Sequence, residues 1–219
     1  MKKTTRLALI LATSLILVLV IAACQQDNAK VPESDGITEV PESDGITEVP
    51  ESDGITLEEN IDYVKRNKQS VDFELEDLNG NKVRLSDYKG QIVFLSFWST
   101  WCPSCRKQMP YFEAIHQQYG DKGVKILAVS STQVELQGGN DSDRARNQVK
   151  SFIDDGGFTL PIPLDPDSEV LGEYNKIYPV IGIPTTYMID REGIIRYVLP
   201  GAFQDEEHIK AFIALFDQE

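Results

Sequence analysis

Ile92-Val93-Phe94-Leu95-Ser96-Phe97-Trp98-Ser99-Thr100-Trp101-Cys102-Pro103-Ser104-Cys105 is the stretch on which the reading of this 219-residue chain turns. Ile92 to Trp98 is an almost unbroken apolar run and reads as a strand buried on both faces. From Pro103 to about Tyr119 the pattern is helical, and Pro103 suits the first turn, where its missing N–H costs little. Cys102 and Cys105 therefore stand three residues apart where a strand hands over to a helix. Free N–H groups and the positive end of the helix dipole favour a thiolate at Cys102. Cys105, one turn further on, should be less exposed and less acidic. A pair so placed can make and break a disulfide within one helical turn, the first sulfur attacking and the second resolving. The charge of Arg106 lies nearby, in a direction the sequence leaves open.

The pair has two plainer uses. A structural zinc takes four ligands, and the chain adds only Cys24 and the widely separated His116 and His208. No metal and no cofactor is expected. A purely structural disulfide closes too short a loop here to restrict the unfolded chain much.

The front of the chain predicts export. Lys2, Lys3 and Arg6 precede an apolar run from Leu7 to Ala22, short for a spanning helix and typical of a signal peptide. Residues 1–23 are read as a signal of lipoprotein type, because Ile21-Ala22-Ala23-Cys24 resembles the lipobox of bacterial lipoproteins. Cys24 is then the lipidated first residue, and the protein sits on the extracytoplasmic face of the cell membrane, where disulfides are tolerated. Val31-Pro32-Glu33-Ser34-Asp35-Gly36-Ile37-Thr38-Glu39 recurs from Val40 and again from Val49. An acidic repeat with Pro and Gly in each copy cannot build a core. Residues 24–66 are read as a disordered tether, and its Asp-Gly steps lack the ligand set of a calcium loop. The net charge is −14. Nucleic acid and anionic headgroups are therefore poor partners, and a membrane link must come from the anchor.

Residues 67–219 are enough for one domain with a substantial core. Asn79-Gly80 between Val71–Leu78 and Lys82–Leu85 signals an N-terminal hairpin. Val124 to Ser130 is a second buried strand, followed by a polar loop or insertion from Ser131 to Asp143. Helices are expected over Arg144–Asp155, over Ser168–Asn175 with Asp167 as its cap, and over Asp205–Phe216. Thr185–Ile189 and Ile194–Leu199 pair as strands. Strands alternating with helices predict a three-layer α/β sandwich on a mixed sheet.

With the stretch from Phe97 to Cys105 stand Gly182-Ile183-Pro184-Thr185-Thr186-Tyr187-Met188-Ile189-Asp190 and Leu164-Asp165-Pro166-Asp167. Together these resemble the thioredoxin-fold proteins of the TlpA/ResA group, membrane-anchored thiol-disulfide oxidoreductases. The resemblance implies a thioredoxin-like fold, with a cis Ile183–Pro184 peptide facing the cysteines. It implies Cys102 as nucleophile, Cys105 as resolving thiol, and Trp101, Pro103, Ile183 and Pro184 as the surface that binds protein disulfides. Electrons would come from a membrane thiol donor. The chain departs from the group in three places. Gln108 stands where a Glu is common, Ser96 where many thioredoxins bury an acid, and the segment from Tyr174 to Pro184 is longer.

The expected function is reduction of disulfides in exported proteins, such as apocytochrome c or oxidised surface enzymes, by a monomer. A disulfide-donating oxidase is the alternative. A peroxiredoxin-like peroxidase, with Ser99 in place of the usual Thr, and a non-catalytic binding scaffold are the more distant ones.

Overall fold

The computed structural model describes residues 63–218. The leader, Cys24 and the acidic repeat lie outside the described residues. The strands are β1 (Val64–Gln69), β2 (Glu74–Asp77), β3 (Lys82–Arg84), β4 (Ile92–Trp98), β5 (Val124–Ser131), β6 (Pro163–Asp165), β7 (Thr185–Ile189) and β8 (Ile194–Pro200). The helices are α1 (Pro103–Tyr119), α2 (Thr132–Glu135), α3 (Ser142–Gly156), α4 (Glu169–Ile177) and α5 (Glu206–Phe216). The strands form one open sheet in the order β1-β8-β7-β4-β5-β6-β2-β3. β4 runs parallel to β5 and antiparallel to β7, so the sheet is mixed.

β4 decides the layering. Its residues alternate between the two faces, as any strand's must. Ile92, Phe94 and Trp98 pack with Met109 and Phe112 of α1, Val149 of α3 and Phe212 of α5. Val93, Leu95 and Phe97 pack on the opposite side with Val170 and Tyr174 of α4 and with Phe73 and Val83 of the hairpin. All seven residues of β4 are buried, which is why the sequence shows a continuous run rather than alternation. The result is helices, sheet, then α4 and the hairpin: the expected three-layer sandwich with a thioredoxin-like arrangement. At the hairpin, Gly80 takes φ 81°, and the N–H groups of Asn79 and Asn81 donate to Asp77 Oδ1 at 2.8 and 2.9 Å.

Three local expectations are corrected. Val64 to Arg66, placed in the tether by sequence, belong to β1, which pairs antiparallel with β8. The strand Val-Lys-Arg-Asn-Lys-Gln carries one apolar residue, so alternation could not reveal it. Its anchor is the preceding Tyr63, whose ring meets Tyr197 and Phe212 edge-on. The segment after β5, read as a polar loop or insertion, opens with α2. Asp167 does not cap α4. Ser168 takes φ 59° and turns the chain, so the N–H groups of Val170 and Leu171 donate to Asp165 at 3.4 and 2.9 Å. Burial pushes the Asp165 carboxyl above its ordinary value, against the pull of those N–H groups.

Candidate active site

The end of β4 delivers the chain to α1 through Ser99, Thr100 and Trp101. Cys102 is the N-cap of α1, with extended backbone at φ −82° and ψ 114°. Its sulfur occupies the place usually taken by a Ser or Asp oxygen, and the Cys105 N–H donates to it at 3.2 Å. The cap geometry that the sequence implied is thus realised by sulfur itself. Cys102 and Cys105 are joined as a disulfide, with Cα atoms 5.2 Å apart. Cys105 is 0 % exposed and Cys102 3 %. The order of exposure is as expected, but the outer sulfur is more covered than a simple surface nucleophile. Its covers are identifiable: Ser104 Oγ at 3.3 Å and the Ile183 carbonyl oxygen at 3.5 Å.

The second motif supplies that carbonyl. Ile183–Pro184 is a cis peptide, as the resemblance implied. Ile183 is half-buried and Pro184 buried beneath it. The Gly201 N–H donates to the Pro184 carbonyl at 2.8 Å, fixing the loop against the start of the final turn. Trp101 is 46 % exposed, although its Nε1 donates to the Val134 carbonyl at 3.0 Å. Pro103 is also exposed. The structure therefore brings Trp101, Pro103 and Ile183 to the rim of Cys102, with Pro184 supporting Ile183 from within. The Arg106 guanidinium turns away from the pair, donating to the Thr100 carbonyl at 3.4 Å and lying over the Phe152 ring.

Ile181 was not singled out by sequence. It is 85 % exposed, and it and Trp101 are the large hydrophobic side chains left exposed among the described residues. The way the segment before Pro184 is held explains why it can stand out. Tyr187 Oη donates to the Tyr178 and Tyr174 carbonyls at 2.6 and 3.1 Å, and the Val180 N–H donates to Asn175 Oδ1 at 2.8 Å. Tyr174, Tyr178 and Val180 are thus pinned, leaving Ile181 exposed between them and Pro184. A groove lined by Val134, Ser168, Leu171, Ile181 and Ile183 runs along this side. Another, lined by Thr100, Trp101, Arg106, Phe152 and Phe158, runs along the other. The hydrogen-bonded Trp101 and Val134 lie between them.

Behind the disulfide the polar groups Gln108, Ser96 and Thr186 are an amide and two hydroxyls, none of which acts as an acid or base near neutral pH. Gln108 and Ser96 are both 0 % exposed. Gln108 Nε2 donates to Ser96 Oγ at 3.4 Å, its Oε1 accepts from the Phe203 N–H at 3.2 Å, and Thr186 Oγ1 donates to Ser96 Oγ at 2.9 Å. The amide thus ties α1 to β4 and to the turn before α5. Gln108→Glu should place a carboxyl in this dry site with a raised pKa. A raised folded-state pKa gives stability that is present at low pH and lost as pH rises. The melting temperature of the variant should therefore fall further below that of the parent between about pH 5 and about pH 8. A constant gap across that range would show that Gln108 does not sit in a desolvated network.

Comparison with known proteins agrees with this geometry. The AhpC/TSA family matches residues 67–198. The chain is 38 % identical over 136 residues to the thiol-disulfide oxidoreductase ResA of Geobacillus kaustophilus, covering 62 % of this chain and 70 % of that one. Among solved structures, StoA from Bacillus subtilis superposes with a TM-score of 0.54 at 27 % identity, over 65 % of this chain and 96 % of StoA. The pneumococcal exposed lipoprotein thioredoxin Etrx1 from Streptococcus pneumoniae superposes with a TM-score of 0.53 at 32 % identity, over 66 % of this chain and 99 % of Etrx1. A strand-to-helix cysteine pair closed as a disulfide, carried on this sheet and matched at these identities, performs thiol-disulfide exchange on protein disulfides. The chain belongs to the AhpC/TSA family and, within it, to the ResA-like thiol-disulfide oxidoreductases.

Proposed function

We propose that the protein is a lipid-anchored extracytoplasmic reductase of disulfides in exported proteins. Cys102 is the attacking sulfur and Cys105 the resolving one. Trp101, Pro103 and Ile183 meet the partner chain, and Pro184 holds Ile183 in place. The observation that supports these roles most directly is the surroundings of Cys102 Sγ. It is capped by the Cys105 N–H at 3.2 Å and stands 3.5 Å from the Ile183 carbonyl.

In the dithiol form, the Cys102 thiolate attacks one sulfur of the partner's disulfide. That S–S bond breaks, a mixed disulfide forms, and one partner thiolate leaves. The Cys105 thiol, losing its proton to solvent or to the departing thiolate, then attacks Cys102 Sγ. The second partner thiolate leaves, and the Cys102–Cys105 disulfide remains. Two electrons pass to the partner, and a membrane thiol donor restores the dithiol. The capping N–H and the helix N-terminus favour the thiolate that starts the sequence.

The placement outside the cytoplasm rests on the leader and on Cys24 in Ile21-Ala22-Ala23-Cys24. It is supported by the 32 % likeness to a protein described as an exposed lipoprotein. Among the described residues no helix is long and apolar enough to cross a membrane. Apocytochrome c with its cysteines oxidised to a disulfide, and oxidised surface enzymes, are the proposed substrates.

The direction of electron flow is tested by equilibrating the purified protein with graded glutathione or dithiothreitol buffers. A reductase should show a potential near about −270 mV, whereas a value near about −120 mV would make it a disulfide donor.

A further inference from the structure

Glu135 stands 3 % exposed at the end of α2. Glutamate is rarely this buried unless paired, and a desolvated carboxyl is costly unless its oxygens are hydrogen-bonded. Both Glu135 oxygens are used on a single residue of the active-site turn. Thr100 N–H donates to Oε2 at 2.9 Å, and Thr100 Oγ1 is hydrogen-bonded to Oε1. The neighbouring pair repeats the attachment, Trp101 Nε1 donating to the Val134 carbonyl at 3.0 Å. Two consecutive residues before Cys102 are thus docked on two consecutive residues of α2.

The far side of α2 is held as well. Ser131 Oγ and Ser168 Oγ are 2.7 Å apart, and the Gln133 N–H donates to Ser168 Oγ at 3.4 Å. The helix is therefore a fixed bracket rather than a loose turn. What it fixes is unusual: an indole left 46 % exposed at the rim of the reactive sulfur. One hydrogen bond to a carbonyl leaves such a ring free to swing about that bond. Anchoring Thr100 by both its N–H and its hydroxyl removes that freedom from the backbone that carries the ring.

We infer that Glu135 is a positioning residue for exchange with protein partners: it holds Thr100, and through it Trp101, so that the indole walls the approach to Cys102. This rests on the reading that Trp101 meets the partner chain. A small dithiol reaches the sulfur without using the wall. A folded partner needs both the wall and the sulfur in register, and misplacement of such a surface is felt in the rate.

The test measures kcat/KM for reduction of a disulfide-bonded test protein, and separately the rate of reaction with dithiothreitol. Glu135→Ala should lower the first about tenfold and the second less than about twofold. Glu135→Gln should recover most of the loss, because its amide oxygen still accepts from Thr100 N–H and its NH₂ can donate to Thr100 Oγ1. Trp101→Ala should itself lower kcat/KM, and adding Glu135→Ala to it should cost nothing further. If the Ala variant folds poorly, Thr100→Val, which removes only the hydroxyl contact, should show the same selectivity at a smaller size. The inference is overturned if Trp101→Ala is impaired while Glu135→Ala, or Thr100→Val in its place, exchanges at the parent's rate. It is equally overturned if the losses with dithiothreitol and protein are equal, or if they persist undiminished in the Trp101→Ala background. No effect of Trp101→Ala overturns the docking reading itself, and this inference with it.

Discussion

Cys102→Ser is expected to remove exchange activity, lowering kcat/KM for protein disulfides by roughly 10³-fold or more, since no other group at the site can take the covalent role. A serine hydroxyl at the same N-cap would keep the hydrogen bond from the Cys105 N–H and so keep the helix start. It would not ionise near neutral pH, and it cannot share electrons with an incoming disulfide. Fold and function are therefore separated by one atom. Cys105→Ser should have a different outcome. The first attack proceeds, but the sulfur that would break the mixed disulfide is gone. With that internal thiol gone, release of the adduct depends on a thiol supplied from solution. Dithiothreitol-sensitive adducts with a disulfide-bonded test protein should accumulate, read as a mass shift on non-reducing gels. Retained activity in Cys102→Ser, or no adduct with Cys105→Ser, would remove the assignment of roles.

Glu113→Ala is expected to be the largest loss of stability among single polar substitutions, about 2–4 kcal/mol. Glu113 is 8 % exposed on α1. Its carboxyl accepts from the N–H groups of Thr159 and Leu160 at 2.8 and 3.0 Å, from Gln117 Nε2 at 2.8 Å, and from the Thr159 hydroxyl. Alanine would strand two backbone N–H groups where the chain leaves α3 for β6. Burial alone would push this carboxyl up, but the donors from Thr159, Gln117 and Leu160 outweigh it and hold the pKa below the ordinary 4.5. For a carboxyl lowered in the folded state, the contribution is complete above its unfolded pKa. It is lost as pH falls through the folded value. Urea unfolding should thus show the gap between parent and Glu113→Ala narrowing as the solution is acidified below about pH 4.5. A gap independent of pH would mean that the ionised carboxyl is not what the donors hold.

The sequence made the centre of this molecule legible and its margins opaque, and the reason is the same in both places. β4 and β5 are buried on both faces, so they are apolar throughout. α1 begins at a proline after a cysteine cap, so its start was visible to the residue. The short elements carry little periodicity. β6 spans Pro163–Asp165, too few residues to alternate. α2 occupies four positions, and two glycines soon after it drew the reading toward a loop. The Thr132-x-x-Glu135 spacing resembles a capping box, but the N-cap is one residue earlier, at Ser131, with no side-chain cap. Glu135 was nevertheless out of reach, because its partner Thr100 is 35 positions away. The Asp167 cap failed for a related cause, since the left-handed turn at Ser168 hands the role to Asp165. Cys102 and Cys105 were legible from their spacing at the strand-to-helix junction, and Trp101, Ile183 and Pro184 only through the family resemblance of two distant motifs; the structure brings the Ile183 carbonyl to Cys102. Ile181 was missed because a single isoleucine after an irregular segment shows no pattern until the segment is folded.

Among the described residues β1 is the last strand at one margin of the sheet, and its outward hydrogen-bonding groups would be offered to any extended chain that drifts alongside. Such a border invites fibrous stacking of one molecule on the next. Lys65, Arg66 and Lys68 put three cations on this six-residue strand. The pairing with β8 also slips between Lys65 and Lys68, which spoils the straight run a further strand would copy. The polar composition that hid β1 from the reading of the sequence is thus also what opposes such stacking.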